Sequence, residues 1–241
     1  MTGRVVEVVH LYPRDMNIYG DLGNTLTIRR RLERYGYEPR VRTYDPGDPF
    51  PADADLVIGG GGQDSGQDRV HDDLLARGDD LRALAADGVP MLMVCGLYQL
   101  FGHVFRTRAG RELTGIGVLD VETIGKDERL IGNIVTESED FGRIVGFENH
   151  SGQTFLGPGA RPFGTVVSGA GNNTDDTGEG ARTANVIGTY LHGSLLPKNP
   201  AVADFLIRTA VERRHGRFEP TGAPDDTLAQ NARRSAMSRP R

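Results

Sequence analysis

Three apolar runs constrain this chain more than anything else in it: VVEVV at 5–9, DLVI at 55–58 and MLMV at 91–94. None alternates between polar and apolar residues, and each is followed by a stretch with helical spacing. A strand that is apolar throughout must be covered on both faces, which is the situation of a parallel sheet packed between helices. Strand followed by helix, repeated, gives βαβ units. The fold class that follows is α/β, with a mostly parallel central sheet flanked by helices.

Residues 4–12 read as a strand and 24–36 as a helix. Asn24 caps that helix, Leu26, Ile28 and Leu32 form its apolar side, and Gly36 ends it. A strand near a sheet edge follows at 38–44, then a buried strand at 54–62 that runs into glycines. Residues 68–88 read as helical with a break at Gly78, 90–95 as a strand, and 97–105 as the opening of a helix. After Thr107 the pattern changes to short strands at 116–123, 130–137, 143–150 and 163–169. These form either an antiparallel wing or an extension of the main sheet. A late strand at 183–193 ends in a histidine, and a helix at 200–214 has Pro200 in its first turn. The division expected is one domain over 1–217 and a polar tail over 218–241. The tail is either docked on a partner or poorly ordered, with a short helix at 225–237.

Composition narrows the classes. A net charge of −5 over 241 residues argues against nucleic acid as the main partner, because a phosphate-binding surface needs concentrated positive charge. One cysteine excludes an internal disulfide and fits a reducing compartment. The opening MTGRVVEVVHLY lacks a signal peptide's apolar core and cleavage site, and no apolar run reaches the length of a membrane span. The expectation is a cytoplasmic protein.

The single cysteine, Cys95, sits where the apolar run PMLMV meets GLYQLFG. That is the carboxyl end of a buried strand and the start of a helix, where α/β sheets bind ligands. The helix dipole favours a thiolate there. Gly96 offers an unobstructed N–H to an oxyanion, and the glycines at 59–62, ending the preceding strand, can bring a second. The matching base is His192, at the end of VIGTYLHG. His150, in GFENHSG, is the only other strand-end histidine as well placed. Other readings compete. A lone cysteine is also a small hydrophobe that cores accept. GGGG lacks both the G-K-[ST] ending of a phosphate loop and the G-x-G-x-x-G of a dinucleotide site. With one cysteine and no H-x-x-x-H, a metal site has little support. His10, His71, His103 and His215 read as surface or core residues.

With these residues in hand, the chain resembles the class I (triad-type) glutamine amidotransferases. VCGLYQLFG is similar to their nucleophile elbow, and the glycine directly after the cysteine places the chain in the cobyric-acid-synthase-like branch. YPRDMNIYGDLGN at 12–24, DLVIGGGGQD at 55–64, KDERLIGNIVTE at 126–137, GFENHSGQT at 146–154 and GTYLHGSLLPKNP at 188–200 extend the resemblance over roughly residues 4–215. Together they resemble the group that serves lipid II amidation.

The resemblance implies a flavodoxin-like architecture. It also implies a glutaminase subunit that supplies ammonia to a Mur-ligase-like (MurT-like) synthetase in a heterodimer. That partner would use ATP and magnesium to amidate the D-glutamate α-carboxylate of lipid II. This subunit would need no cofactor and would act in the cytoplasm, at the inner face of the membrane through the complex. In this alignment Cys95 is the nucleophile and His192 the base. Arg129 and Gln99 contact glutamine, and Gly60, Gly61 and Gly96 line the oxyanion hole. One departure matters. The usual pattern has a glutamate two residues after the histidine, and Ser194 stands there. A third triad member in this chain is therefore not expected. Either a dyad suffices or a carboxylate comes from elsewhere: the resemblance implies an aspartate from the partner, and within this chain Glu148 is the candidate only if the fold brings it close. A corrinoid carboxylate as acceptor, a thiol hydrolase on a related scaffold and a non-catalytic binding subunit are the alternatives.

Overall fold

The computed structural model describes residues 4–239. The first half winds through β1 (Val5–Leu11), α1 (Leu22–Tyr35), β2 (Glu38–Tyr44), β3 (Leu56–Gly59), α2 (Asp64–Ala76), α3 (Gly78–Ala86), β4 (Met91–Val94) and α4 (Gly96–Leu100). The second half adds β5 (Val104–Arg106), β6 (Glu112–Thr114), β7 (Val121–Ser138), β8 (Gly142–Leu156), β9 (Gly164–Ser168), β10 (Gly178–Glu179), β11 (Ala181–Thr183) and β12 (Val186–Thr189). It closes with α5 (Leu195–Lys198), α6 (Pro200–His215) and α7 (Thr227–Met237).

Two six-stranded sheets result. The main sheet runs β11-β12-β4-β3-β1-β2, with β2, β1, β3, β4 and β12 mutually parallel and β11 antiparallel at one edge. All four residues of β3, of β4 and of β12 are buried, as expected for strands covered on both faces. β2 is the other edge strand and is mostly exposed. The strands after Thr107 form a separate wing, β10-β9-β7-β5-β6 with β8 on β7. It is antiparallel except where β5 meets β7. Its spine is one long hairpin, in which β7 merges two of the short strands expected from the sequence.

Several boundaries move, for physical reasons. α1 begins at Leu22, and Asn24 lies inside it rather than capping it. Its amide oxygen accepts the Leu196 N–H at 2.9 Å, tying α1 to the start of α5. Leu26 is exposed, because the buried stripe runs through Thr25, Ile28, Arg31, Leu32 and Tyr35. Gly36 ends the helix at φ +82, as a left-handed cap requires. α4 lasts only five residues, since Val104 and Phe105 leave it to pair in the wing. Among the described residues no helix is long and apolar enough to cross a membrane.

The segment after Phe218 returns along α1. Arg31, almost fully buried, donates to Asp204 on α6 at 2.8 Å and to Asp226, at the head of α7, at 2.5 Å. Phe218 packs on Tyr35 and Tyr37, and α7 lies against α5, β7 and β8. The last two residues of the 218–241 tail lie outside the described residues. Removing the guanidinium strands two partly buried carboxylates. Arg31→Ala is therefore expected to lower the unfolding free energy by about 2–3 kcal/mol in urea titrations and to expose the chain beyond Phe218 to protease.

Candidate active site

Cys95 occupies the corner between β4 and α4 with φ +51 and ψ −104, a conformation an L-residue adopts only when its surroundings hold it there. Its N–H donates to Thr189 O at 2.8 Å, and its carbonyl accepts the Gln99 N–H. The corner is possible because nearby residues lack side chains. A Cβ on Gly61 would stand 2.8 Å from His192 Cε1 and 2.9 Å from Cys95 Cβ. One on Gly96 would press on Met16 and come within 3.2 Å of the Gly62 nitrogen.

His192 follows β12 and is buried. Its backbone exchanges two hydrogen bonds with Phe147 on β8, so the loop is clamped to the wing. Tyr19 covers the imidazole, with ring centroids 4.4 Å apart. Burial would lower the imidazole pKa. The charge of Cys95 and the carboxylate of Asp21 overcome that and lift it to about 10.

The in-chain carboxylate the sequence offered for His192 was Glu148, and the structure brings Asp21 near the ring instead. Asp21 is fully buried, and its Oδ1 lies 3.9 Å from His192 Nδ1. Its Oδ2 accepts the Gly61 N–H at 2.8 Å. Glu148 instead turns its two oxygens to the N–H groups of Ala170 and Gly171. Ser194, at the position of the usual glutamate, donates to Gly20 O at 2.8 Å and so pins the chain next to Asp21.

A cavity of about 390 Å3 opens above Cys95. Its base carries Cys95, Gln99 and Gln67; Arg129, Asn149 and His150 wall it from the wing; Ile18 and Tyr19 form its rim. Arg129 donates to Asn149 Oδ1 at 2.6 Å, and Asn149 donates to the Tyr19 hydroxyl at 2.9 Å. The guanidinium is exposed, presenting planar donors of the kind that bind a carboxylate. Gln99 lies in the cavity, but its amide is engaged. It accepts from Gln67 at 2.8 Å and donates to the Tyr190 hydroxyl at 3.1 Å. Gly60 packs against Asp21 and the Met16 carbonyl. Since Gly61 gives its N–H to Asp21, the glycine-loop nitrogen that meets Gly96 belongs to Gly62. Among the described residues no cluster of three histidine, cysteine or acidic side chains could hold a metal ion.

The two strand-end histidines differ in kind. His150 Nδ1 donates to Gly152 O at 2.6 Å, and its ring lies flat on Tyr190 at 3.6 Å. Burial pushes its pKa down to about 4, so it is neutral near pH 7 and a poor proton donor. His192, beside the thiol, carries the proton. Asp21, Tyr19 and Asn149 were not singled out by sequence reasoning, whereas Gly62 lay within the glycines at 59–62 that it named. The only signal for those three was their presence in the segments at 12–24 and 146–154.

A model of the CobB/CobQ-like glutamine amidotransferase domain matches residues 7–200. The chain is 39% identical to the lipid II isoglutaminyl synthase (glutamine-hydrolyzing) subunit GatD of Staphylococcus aureus, over 88% of this chain and 87% of that protein. It is 37% identical to the same subunit of Streptococcus pneumoniae, over 93% and 88%. Likeness to the cobyric acid synthase of Cereibacter sphaeroides is 35% over 64% of this chain and 32% of that protein. Among solved structures, a glutamine amidotransferase from Thermotoga maritima aligns with TM-score 0.54 at 16% identity, over 96% of this chain and 93% of that one. The glutaminase domain of Trypanosoma brucei CTPS with bound acivicin also aligns at 0.54, with 11% identity, over 91% and 98%. At such low identity these two speak to the fold alone.

Glu179 gives a pH test of the surroundings. It is fully buried and accepts from Thr189 and the Tyr190 N–H, and burial lifts its pKa from 4.5 to about 8. The folded chain therefore keeps this proton across a window in which the unfolded chain has lost it, so stability falls as pH rises from 4.5 to 8. Glu179→Gln removes that slope. The variant's stability relative to wild type is expected to rise across the window in urea titrations at stepped pH.

Proposed function

The chain belongs to the CobB/CobQ-like glutamine amidotransferase family, and from that premise we propose that it is the glutamine-hydrolysing subunit of a lipid II isoglutaminyl synthase. The observation that carries the proposal is the near-full-length likeness to two such subunits. The cavity supports the glutaminase half of it by holding the Cys95 thiol and the Arg129 guanidinium around one small volume, with His192 beside the thiol under the Tyr19 ring.

In this reading the Cys95 thiolate attacks the side-chain amide carbon of glutamine, with Arg129 on the substrate's carboxylate. The oxyanion is stabilised by N–H groups at the Gly62 and Gly96 turn. His192 gives its proton to the departing nitrogen as the C–N bond breaks, which leaves a thioester on Cys95. It then takes a proton from water as water attacks the thioester, releasing glutamate and regenerating the thiolate. Gln99 acts by holding Gln67 and Tyr190 under the site. Free ammonia would be protonated and diluted in bulk water, so it passes directly to a Mur-ligase-like (MurT-like) synthetase bound over the cavity mouth. ATP and magnesium belong to that synthetase, which amidates the D-glutamate of the lipid II stem peptide. A corrinoid acceptor has less support, because the likeness to cobyric acid synthase covers a smaller part of this chain.

The test is synthesis by the complex with glutamine or with ammonium as nitrogen source. Cys95→Ala is expected to abolish glutamine-dependent amidation while leaving ammonium-dependent amidation intact. Loss of both would count against the assignment. Arg129→Ala is expected to raise KM for glutamine about tenfold or more, with a smaller effect on kcat, read from glutamate release.

A further inference from the structure

Gln67, on α2, is held under the elbow by its side-chain nitrogen alone. The side chain is 1% exposed and lines the cavity beside Cys95 and Gln99. Its Nε2 donates to the Gly96 carbonyl at 3.2 Å and to Gln99 Oε1 at 2.8 Å. A carbonyl can only accept, so the Gly96 contact fixes which end of the amide is nitrogen. Gln99 is fixed in turn, because its own Nε2 donates to the Tyr190 hydroxyl at 3.1 Å, and that hydroxyl bonds Thr154. The Gln67 oxygen is left over. Oε1 accepts no hydrogen bond among the described residues, and it is not sealed from solvent. On a side chain this buried, the space that oxygen opens onto is the cavity.

The rest of the cavity shows what such an oxygen can take. Among the described residues no aspartate or glutamate lines it, and its positive group is Arg129, which suits a carboxylate. An α-amino acid bound there also brings an ammonium, and the acceptors it meets are neutral. Most of them are spent. Gln99 Oε1 accepts from Gln67, Asn149 Oδ1 from Arg129, and the Tyr19 hydroxyl from Asn149. The free ring nitrogen of His150 is buried away from solvent. Gln63 and Ser65 are exposed to water, and Ser151 is half-buried. Gln67 Oε1 is the acceptor that is both unspent and fixed in direction. We propose that Gln67 is a substrate-binding residue of this site: its Oε1 accepts a hydrogen bond from the α-ammonium of glutamine. The cavity then selects a free amino acid by both charged ends, Arg129 taking one and Gln67 the other. The inference rests on the glutaminase reading above and deepens it. It gives a purpose to the run from Tyr190 through Gln99 to Gln67, which turns one oxygen toward the substrate. A hydrogen bond from a charged donor is stronger than one between neutral groups. An analogue without the ammonium leaves the buried oxygen unpaired and is penalised for it.

The experiment compares hydrolysis of glutamine with that of glutaramate, the same amide acid without the amino group, by the full chain with its synthetase. Release of glutamate or of glutarate is followed for wild type and for Gln67→Met, which keeps the length of the side chain without its amide. Wild type is expected to favour glutamine in kcat/KM by about 30-fold or more. Gln67→Met is expected to lose about tenfold or more of kcat/KM on glutamine, chiefly through KM, and less than about threefold on glutaramate. Harm to the elbow through the Gly96 and Gln99 contacts would fall on both substrates alike. An equal loss on the two therefore overturns the proposal and leaves Gln67 as a prop. Wild type that turns over glutaramate as well as glutamine overturns it without any variant. Should Gln67→Met not fold, a crystal structure of Cys95→Ala with glutamine decides. An ammonium about 3 Å from Gln67 Oε1 is expected, and one turned to other acceptors refutes the assignment. Absence of any Cys95-dependent turnover of glutamine defeats the glutaminase reading itself and this proposal with it, whereas turnover without discrimination defeats this proposal alone.

Discussion

The backbone corner at Cys95 is the constraint on which the rest of the site depends. A non-glycine residue at φ +51 and ψ −104 costs about 1–3 kcal/mol, and it persists because the parallel sheet fixes both its ends. Its N–H is tied to Thr189 on β12, and the Gln99 N–H bonds its carbonyl. A thiol held this way lines the cavity while remaining part of the buried core. Packing and chemistry are not alternatives for this cysteine. The packing is what holds the thiol at the cavity floor.

The same logic assigns the glycines. Two of the loop residues are defined by what they must admit: Gly61 lies between imidazole and thiol, and Gly96 lies close to the Gly62 nitrogen. A side chain at Gly61 would press on His192 and Cys95, and one at Gly96 would press on Met16 and crowd the Gly62 nitrogen. The loop nevertheless needs an anchor, since glycine brings none of its own, and Asp21 supplies it through the Gly61 N–H. Charge is therefore built into the loop's support, next to the one histidine whose pKa is raised.

What could be read from the sequence was whatever is local. The apolar runs located β1, β3 and β4, and the strand-to-glycine junctions located Cys95 and the glycine loop. Composition held no comparable signal for Asp21. Its reach to His192 spans 171 positions and depends on Ser194 clasping the Gly20 carbonyl across the chain. Helical periodicity also misplaced the start of α1. Asn24 is a good capping residue by type, but its side chain is claimed by the Leu196 N–H, a tertiary contact that no local pattern encodes. The merger of two short strands into β7 was hidden for a similar reason. The charged stretch KDER interrupts the alternation, and the pairing register with β8 shifts between Gly125 and Leu130, next to Arg129.

That interruption bears on how the two sheets cooperate. The main sheet provides Cys95 and the wing provides the wall of Arg129, Asn149 and His150, so neither sheet carries the cavity alone. Their alignment is set close to the reacting groups by the two backbone bonds between His192 and Phe147, and by the chain from Arg129 through Asn149 to Tyr19 over the imidazole. Under the proposed function, a carboxylate bound at Arg129 would compete for the donors that hold Asn149, and Asn149 in turn holds the ring that covers His192. Under the proposed function, recognition of one end of the substrate would thereby be connected, through two hydrogen bonds and one ring contact, to His192 at the other end. An architecture with the wall on a separate sheet can change what it recognises by altering the hairpin, while the corner at Cys95 stays fixed by the parallel strands.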